Sequence, residues 1–349
     1  MTIQSTQRQP YALQANAMQP YFSGKTATPK ACAKPSSASE DIERFLPKAN
    51  LSFPTAAVDV GSNSVKLLLR KADGSLHFKR YGIYLGASIG QSGKITAPYQ
   101  KKLKAVFDDI ANYLITENGV KQEHIAAVAT AALREASNGA DMVQYANNLG
   151  IPLHTIDGLE EASLIYGSTL QGTGIHKKQP VIVMECGGGS TEYAYGNGLE
   201  GFGPALSSVM TVGTSRLGLK DVNDAQEIAR IRADIRKGLK DTITPAQKEA
   251  ATGRRLYIKR YSYFNSIPAV PGVITRADIA NALKPEGLEK LSRSLEGSDM
   301  SLPNLVSKLC ILDETLAYLG KDKIRLGADG GLKFALLSRL IKELDPNAQ

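Results

Sequence analysis

The chain has 349 residues, with 42 Lys and Arg against 34 Asp and Glu, and a formal net charge of +8 at pH 7. This length predicts about two domains, and 42% hydrophobic with 22% charged residues is ordinary for a soluble protein. No apolar run reaches the ~18 residues of a transmembrane helix. Three widely spaced cysteines argue against a disulfide framework and for a reducing, cytoplasmic compartment. The positive charge favours polyanionic partners, without separating nucleic acid from polyphosphate or nucleotides.

The first 39 residues differ from the rest in composition. They hold four basic residues and no acid, and Gln, Ser, Ala, Pro and Thr dominate. This composition predicts a disordered tail or a targeting segment over residues 1–50. The segment lacks the apolar core of a classical secretion signal.

Beyond the tail, apolar runs alternate with amphipathic patterns, which predicts an α/β fold. The predicted strands cover residues 55–60, 64–71, 76–85, 125–130, 152–156, 181–185, 191–195 and 323–326. The predicted helices cover residues 97–118, 131–134, 140–149, 159–170, 224–240, 304–319 and 332–344. The chain beyond residue 220 is therefore expected to be mostly helical.

One pattern occurs twice along the chain. Residues 55–71 and 181–195 each combine a strand, a glycine-bearing turn and a second strand. We infer an internal duplication that gives two domains. Domain I is expected to cover residues 51–176, joined by the C-terminal helix 330–345, and domain II to cover residues 177–329.

Both predicted hairpins carry an acidic residue and glycines at the turn. In the first, Asp59 is followed by Gly61, Ser62, Asn63 and Ser64. In the second, Glu185 is followed by Gly187, Gly188, Gly189, Ser190, Thr191 and Glu192. Glycine lets backbone N–H groups approach an anion, hydroxyls can hold phosphate oxygens, and an acid can hold a divalent cation. Two such turns facing each other would clamp a phosphate chain, although each alone also fits an ordinary hairpin.

Six short segments share the pattern of one known family. They are DVGSNSVKLLL at 59–69, ATAALREASN at 129–138, DGLEEASLIYG at 157–167, ECGGGSTEY at 185–193, VGTSRL at 212–217 and GGLKFALL at 330–337. Together they resemble the exopolyphosphatase/guanosine pentaphosphate phosphatase (Ppx/GppA) family. The resemblance implies two ribonuclease-H-like domains of the actin, Hsp70 and sugar-kinase superfamily, with an active site in the cleft between them. It also implies Mg²⁺-dependent hydrolysis of a terminal phosphoanhydride bond.

The resemblance assigns roles to individual acids. The family's catalytic base lies in the EEA segment and corresponds to Glu161, whereas the residues alone leave Glu160 an equal candidate. The metal-side acids of the family correspond to Glu185 and Glu192. Asp59, at the end of the first predicted strand, is a third expected metal ligand.

Two arginines match family positions, and three features depart from the family. Arg134 and Arg216 are expected to contact phosphate. Glu185 stands where the family usually has Asp, so the shorter acid is expected to restore the usual metal geometry, unless the cleft has adjusted to Glu185. Ala131 stands where Ser is usual. The basic and aromatic residues 253–264 replace a glycine–threonine turn and form either a solvated basic face or a polyanion-binding strip.

These features lead to a hydrolase hypothesis with alternatives. We expect an exopolyphosphatase in which Glu161 activates water, with a pppGpp 5′-phosphohydrolase as the rival enzyme. A binding or sensing protein with little turnover is a second class, and an ATP-dependent kinase of the superfamily is a weaker third. The expected partners are inorganic polyphosphate or guanosine penta- or tetraphosphate. Membranes are not expected, nucleic acid is disfavoured, and a homodimer is left open.

Overall fold

Two β-sheets with helices on their faces form the fold. The computed structural model describes residues 46–348 except 172, 177, 200, 297–299 and 329. Its strands are β1 (Thr55–Val60), β2 (Ser64–Arg70), β3 (Leu76–Gly82), β4 (Ile125–Ala129), β5 (Leu153–Thr155), β6 (Pro180–Cys186), β7 (Thr191–Asn197), β8 (Gly201–Phe202), β9 (Ser208–Met210), β10 (Arg255–Ile258), β11 (Val273–Thr275) and β12 (Lys323–Leu326). Its helices are α1 (Leu85–Ser92), α2 (Ala97–Ala111), α3 (Ala131–Glu135), α4 (Gly139–Asn148), α5 (Gly158–Leu170), α6 (Ala225–Thr242), α7 (Pro245–Ala250), α8 (Arg276–Ala282), α9 (Pro285–Ser294), α10 (Leu302–Tyr318) and α11 (Leu332–Leu344). Within these described residues, no helix combines the length and apolar character that crossing a bilayer requires.

The two sheets repeat one topology. The first has the strand order β3-β2-β1-β4-β5, and the second has the order β11-β12-β10-β6-β7-β8, with β9 also paired to β7. In each, an antiparallel hairpin (β1–β2 or β6–β7) is followed by parallel pairing of its first strand, to β4 or to β10. This arrangement is that of ribonuclease-H-like domains, and it agrees with the duplication inferred from the sequence.

Helices α5 and α11 lie between the sheets. On the first sheet, α11 buries Leu337 in a cluster with Ala57, Leu68 and Val128. On the second sheet, α5 packs against β6 and β7, and α5 and α11 also contact each other. The outer faces are covered by α2 and α4 on the first sheet and by α6 and α10 on the second. Because β1 is covered on both faces, all six of its residues are buried.

Three segments differ from the elements expected from the sequence. β3 ends at Gly82, because Tyr84 takes a left-handed backbone (φ 55°) and caps the start of α1. The helix expected over 97–118 changes to a π-helical turn over Asn112–Glu117. The expectation of a mostly helical chain beyond residue 220 misses β10 and β11, which are only four and three residues long.

The segment just before β1 packs on the first sheet. The Arg70 guanidinium donates a hydrogen bond to the Ala49 carbonyl oxygen at 3.2 Å. The backbone N–H of Asn50 donates to the Asp345 carboxylate, also at 3.2 Å. Residues 46–50, assigned to the tail from the sequence, therefore contact the folded chain. The rest of the predicted tail, which includes Cys32, lies outside the described residues.

Truncating Leu337 should weaken the attachment of α11. Leu337 is fully buried, so Leu337→Ala removes apolar contacts and leaves a cavity, which should cost about 3 kcal/mol of unfolding free energy. Urea denaturation measures this loss. The control is Arg339→Ala on the exposed side of the same helix, which should cost less than about 1 kcal/mol. Equal losses for the two variants would contradict the assigned packing of α11.

Candidate active site

A cavity of about 700 Å³ opens between the sheets, where the β1–β2 and β6–β7 turns meet. A Cβ atom on Gly188 would lie 2.7 Å from the side chain of Asn63. A Cβ atom on Gly189 would lie 2.6 Å from the Ser62 hydroxyl. The two turns therefore touch, and glycine is needed at both positions to give room for the opposite side chain.

The two turns have the same internal geometry. The Gly61 N–H donates to the Ser64 carbonyl at 3.0 Å, and the Gly187 N–H donates to the Ser190 carbonyl at 2.9 Å. The phosphate-binding candidates that line the cavity are Gly61, Ser62, Asn63, Ser64, Gly187, Gly188, Gly189 and Ser190. Thr191 is directed elsewhere, because its hydroxyl donates to the Val212 carbonyl at 2.7 Å.

Four carboxylates converge beside these turns. Asp59, Glu161 and Glu185 line the cavity, and Glu192 is buried next to it. The Asp59 carboxylate forms an ion pair with Lys66 at 2.8 Å on the neighbouring strand. Such a concentration of buried negative charge is costly unless protons or cations neutralise it.

Glu161 has the environment of a tuned acid–base group. Asp157 caps α5 by accepting hydrogen bonds from two backbone N–H groups, and this places Glu161 in the first helical turn. Burial, together with the nearby charges of Glu192 and Asp59, raises the pKa of Glu161 well above its usual value. Its Oε2 atom is buried without a hydrogen-bond partner. Glu160, by contrast, is exposed on the other side of the helix.

Glu185 is held by a tyrosine that the sequence did not single out. The Tyr261 hydroxyl donates a hydrogen bond to Glu185 Oε1, while Glu185 Oε2 is buried without a partner. Tyr261 follows β10 within the 253–264 segment, and it lines the cavity together with Lys259 and Tyr263. The cleft is therefore built around the longer acid at position 185.

Glu192 lies opposite Glu185 in the β6–β7 ladder and is 1% exposed. The Ser190 hydroxyl donates to its carboxylate at 2.5 Å. Burial nevertheless raises the pKa of Glu192 to about 7, with a further contribution from Glu185. Near neutral pH this group is therefore partly protonated.

The family implies a divalent cation, and the acids here are compatible with one. No group of three or more His, Cys, Asp or Glu side chains between residues 46 and 348, leaving aside the undescribed positions, is arranged to hold a metal on its own. Mg²⁺, however, is commonly bound by one or two carboxylates together with substrate phosphates. The buried Oε2 atom of Glu185 accepts no hydrogen bond and has the chemistry of such a ligand.

The two predicted arginines are placed differently. Arg134 donates to the Ile156 carbonyl at 2.7 Å and lies 3.8 Å from Glu161, so its charge stabilises the ionised form of that acid. Arg216 forms an ion pair with Glu135, which joins the loop after β9 to α3. Neither arginine is among the residues that line the cavity.

Five lysines in the cavity were not predicted as site residues. Lys66, Lys79 and Lys333 come from β2, β3 and α11. Lys259 and Lys308 come from the opposite side, after β10 and within α10. One signal was visible, since Lys308 is the single charge in the apolar run 305–312. Lys259 belongs to the basic and aromatic strip and is buried in the cavity wall, whereas Arg255 and Arg260 of the same strip are exposed.

Replacing Glu192 by Gln should change how stability depends on pH. A carboxyl whose pKa is about 7 when folded and 4.5 when unfolded stabilises the fold below pH 4.5, and this contribution is lost as the pH rises through 7. The Glu192→Gln variant has no titrating carboxyl at this position, so its stability does not fall in this way as the pH rises. Its thermal midpoint in metal-free buffer should therefore rise relative to wild type between pH 5 and 8. A constant difference across this range would contradict the burial assigned to Glu192.

Comparison with known proteins places the chain in a family. The sequence model of the Ppx/GppA phosphatase family matches residues 69–337. The guanosine-5′-triphosphate,3′-diphosphate pyrophosphatase of Vibrio vulnificus is 28% identical in an alignment of 305 positions that covers 83% of this chain and 59% of that protein. The chain thus spans less than two thirds of that relative.

Solved structures share the fold. A Ppx/GppA family member from Aquifex aeolicus matches with a TM-score of 0.60 at 21% identity, covering 85% of this chain and 99% of that one. An exopolyphosphatase from Cytophaga hutchinsonii matches with a TM-score of 0.67 at 17% identity, covering 83% and 98%. The predicted fold of two ribonuclease-H-like domains is confirmed. By its sequence and its architecture, the chain belongs to the Ppx/GppA phosphatase family.

Proposed function

We propose that the protein hydrolyses the terminal phosphoanhydride bond of inorganic polyphosphate. One observation carries the proposal: a single cavity combines buried carboxylates at two glycine turns with lysines on both walls. Lysines on both walls suit a ligand that carries negative charge along its whole length. The carboxylates supply a base beside the turns that would hold the terminal phosphate.

In the proposed reaction, Glu161 accepts a proton from a water molecule that attacks the terminal phosphorus in line. The bond between that phosphorus and the bridging oxygen breaks, which releases orthophosphate and a chain shorter by one phosphate. The raised pKa of Glu161 makes it a stronger base than an exposed glutamate. Backbone N–H groups and hydroxyls of the two turns stabilise charge on the transferred phosphoryl group.

The divalent cation expected from the family would be held by Glu185 and Glu192, with Asp59 as a third candidate. When bound, Mg²⁺ would neutralise phosphate charge. Arg134 contributes indirectly in this proposal, because it lies beside Glu161 and favours the ionised form of the base.

A second candidate substrate is pppGpp. It is favoured by the similarity to the guanosine-5′-triphosphate,3′-diphosphate pyrophosphatase of Vibrio vulnificus, which is 28% identical over the aligned region. Phosphate release from polyphosphate and from pppGpp, measured at equal concentrations with and without Mg²⁺, tests the choice. Faster release from pppGpp would reverse it, and no release from either would favour a binding or sensing protein.

Replacing Glu161 by Gln should abolish turnover while leaving substrate binding nearly intact. The amide keeps the shape of the side chain but cannot accept the proton, and loss of a general base typically costs ~10²–10⁴-fold in rate. Phosphate release and equilibrium binding of polyphosphate are the two measurements. Glu160→Gln is the matched control, since that side chain is exposed, and it should retain activity within a factor of a few. If Glu161→Gln kept comparable activity, Glu161 would be removed from the mechanism.

Replacing Glu185 by the shorter Asp should lower turnover. The family pattern alone suggested that Asp would improve metal geometry, but the Tyr261 hydroxyl contacts this carboxylate at its present reach. Glu185→Asp should therefore lower turnover at least tenfold at saturating Mg²⁺ and raise the Mg²⁺ concentration needed for half-maximal rate, since small displacements in such sites are costly. Turnover against Mg²⁺ for both forms checks this. A gain in activity would show that the cleft tolerates the shorter acid.

A further inference from the structure

Lys308 is a buried lysine that lines the cavity. The residue is 2% exposed and lies in α10 among the apolar side chains of Leu305, Leu309 and Leu312. Within the described part of the chain it forms neither a hydrogen bond nor an ion pair. The Lys308 Nζ atom lies over the ring of Tyr261, 4.0 Å from its centroid, and 5.9 Å from the ring centroid of Tyr263.

This arrangement is unfavourable for the ligand-free protein. Burial lowers the pKa of Lys308, the nearby Cys186 and Glu185 offset part of this effect, and the positive charges of Lys259 and Lys66 reinforce it. Lys259 lies over the same Tyr261 ring at 4.9 Å, so two ammonium groups share one aromatic neighbour. A cation–π contact offsets only part of the cost of burying a charge. An anion that entered the cavity would offset the rest.

The Tyr261 side chain lies between Lys308 and the acidic residues. The Tyr261 hydroxyl contacts Glu185, while Lys308 lies against the face of the same ring. The ammonium is thus separated from the carboxylate cluster by a single tyrosine. Lys308, Lys259 and the two glycine turns line the same cavity, so a phosphate chain held at the turns has space to extend toward these lysines.

We propose that Lys308 and Lys259 form a second phosphate subsite, which binds an internal phosphate of the substrate next to the one that is attacked. The inference rests on the proposed polyphosphate hydrolysis and identifies how a chain is distinguished from free orthophosphate. Orthophosphate would occupy only the turn subsite. A ligand with three phosphates would reach both subsites and gain the interaction with the buried ammonium groups.

Calorimetric binding of inorganic tripolyphosphate and of orthophosphate tests this, in a Glu161→Gln background that prevents hydrolysis and with Mg²⁺ held constant. Adding Lys308→Met should weaken tripolyphosphate binding at least tenfold and leave orthophosphate binding within about twofold, since one buried charge-assisted contact is lost. Lys308→Arg, which keeps the charge, should retain most of the tripolyphosphate affinity. Lys290→Met removes an exposed lysine from α9 and should change neither affinity.

Thermal unfolding without ligand separates a binding role from a structural one. Replacing a buried, unpaired charge by Met should leave the midpoint unchanged or raise it. Lys259→Met is a second variant, and it should also weaken tripolyphosphate binding. Unchanged tripolyphosphate affinity in Lys308→Met would overturn the inference while leaving the proposed function standing. Absence of tripolyphosphate binding in the parent would overturn both.

Discussion

The contact between the two glycine turns is the constraint on which the site depends. Gly188 and Gly189 give room to the side chains of Asn63 and Ser62, so the two hairpins meet with no intervening layer. The Ser215 hydroxyl donates to Asn63 at 2.5 Å and ties a further loop to the same turn. Because each hairpin begins with a strand from the middle of its sheet, this contact brings the acids at the strand ends together. The burial of like charges follows from the architecture, and the large apolar cores on either side sustain it.

The two hairpins share a register but carry different charges. Asp59 is paired with Lys66 across β1 and β2, and Glu185 is paired with Glu192 at the matching place in β6 and β7. One hairpin therefore neutralises its acid within the ladder, while the other leaves two acids facing each other. The negative charge of Asp59 is therefore compensated by Lys66, whereas the charges of Glu185 and Glu192 are available for a cation or a proton.

The local parts of this fold and site were predictable from the sequence. The bounds of β1 and α11 agree with the predicted strand and helix, because a continuous apolar run and a strong amphipathic period each determine one element. The family and the two-domain fold were also predictable, since they depend on short contiguous motifs. The assignments of Glu161, Glu185 and Glu192 to catalytic and metal roles stay predictions. The convergence of the three acids and the raised pKa values of Glu161 and Glu192 support them.

Long-range contacts were not predictable. Tyr261 reaches Glu185 from 76 positions away, and nothing in either segment indicates the pairing. Arg216 fitted a phosphate contact by its motif but pairs with Glu135, a partner that only the assembled fold supplies. β10 was overlooked because a four-residue strand flanked by arginine and lysine has too short a period to identify.

The position of α11 in the chain has a consequence for synthesis. The apolar face that β1, β2 and β4 present between the sheets is covered by this helix, which is made some 200 residues after β4. On the ribosome, every strand of the second sheet emerges before the first sheet receives its cover. The later half can therefore complete its core at once, whereas the earlier half waits with exposed Leu68 and Val128. A nascent chain of this protein is thus expected to hold chaperone-accessible surface until α11 has been synthesised.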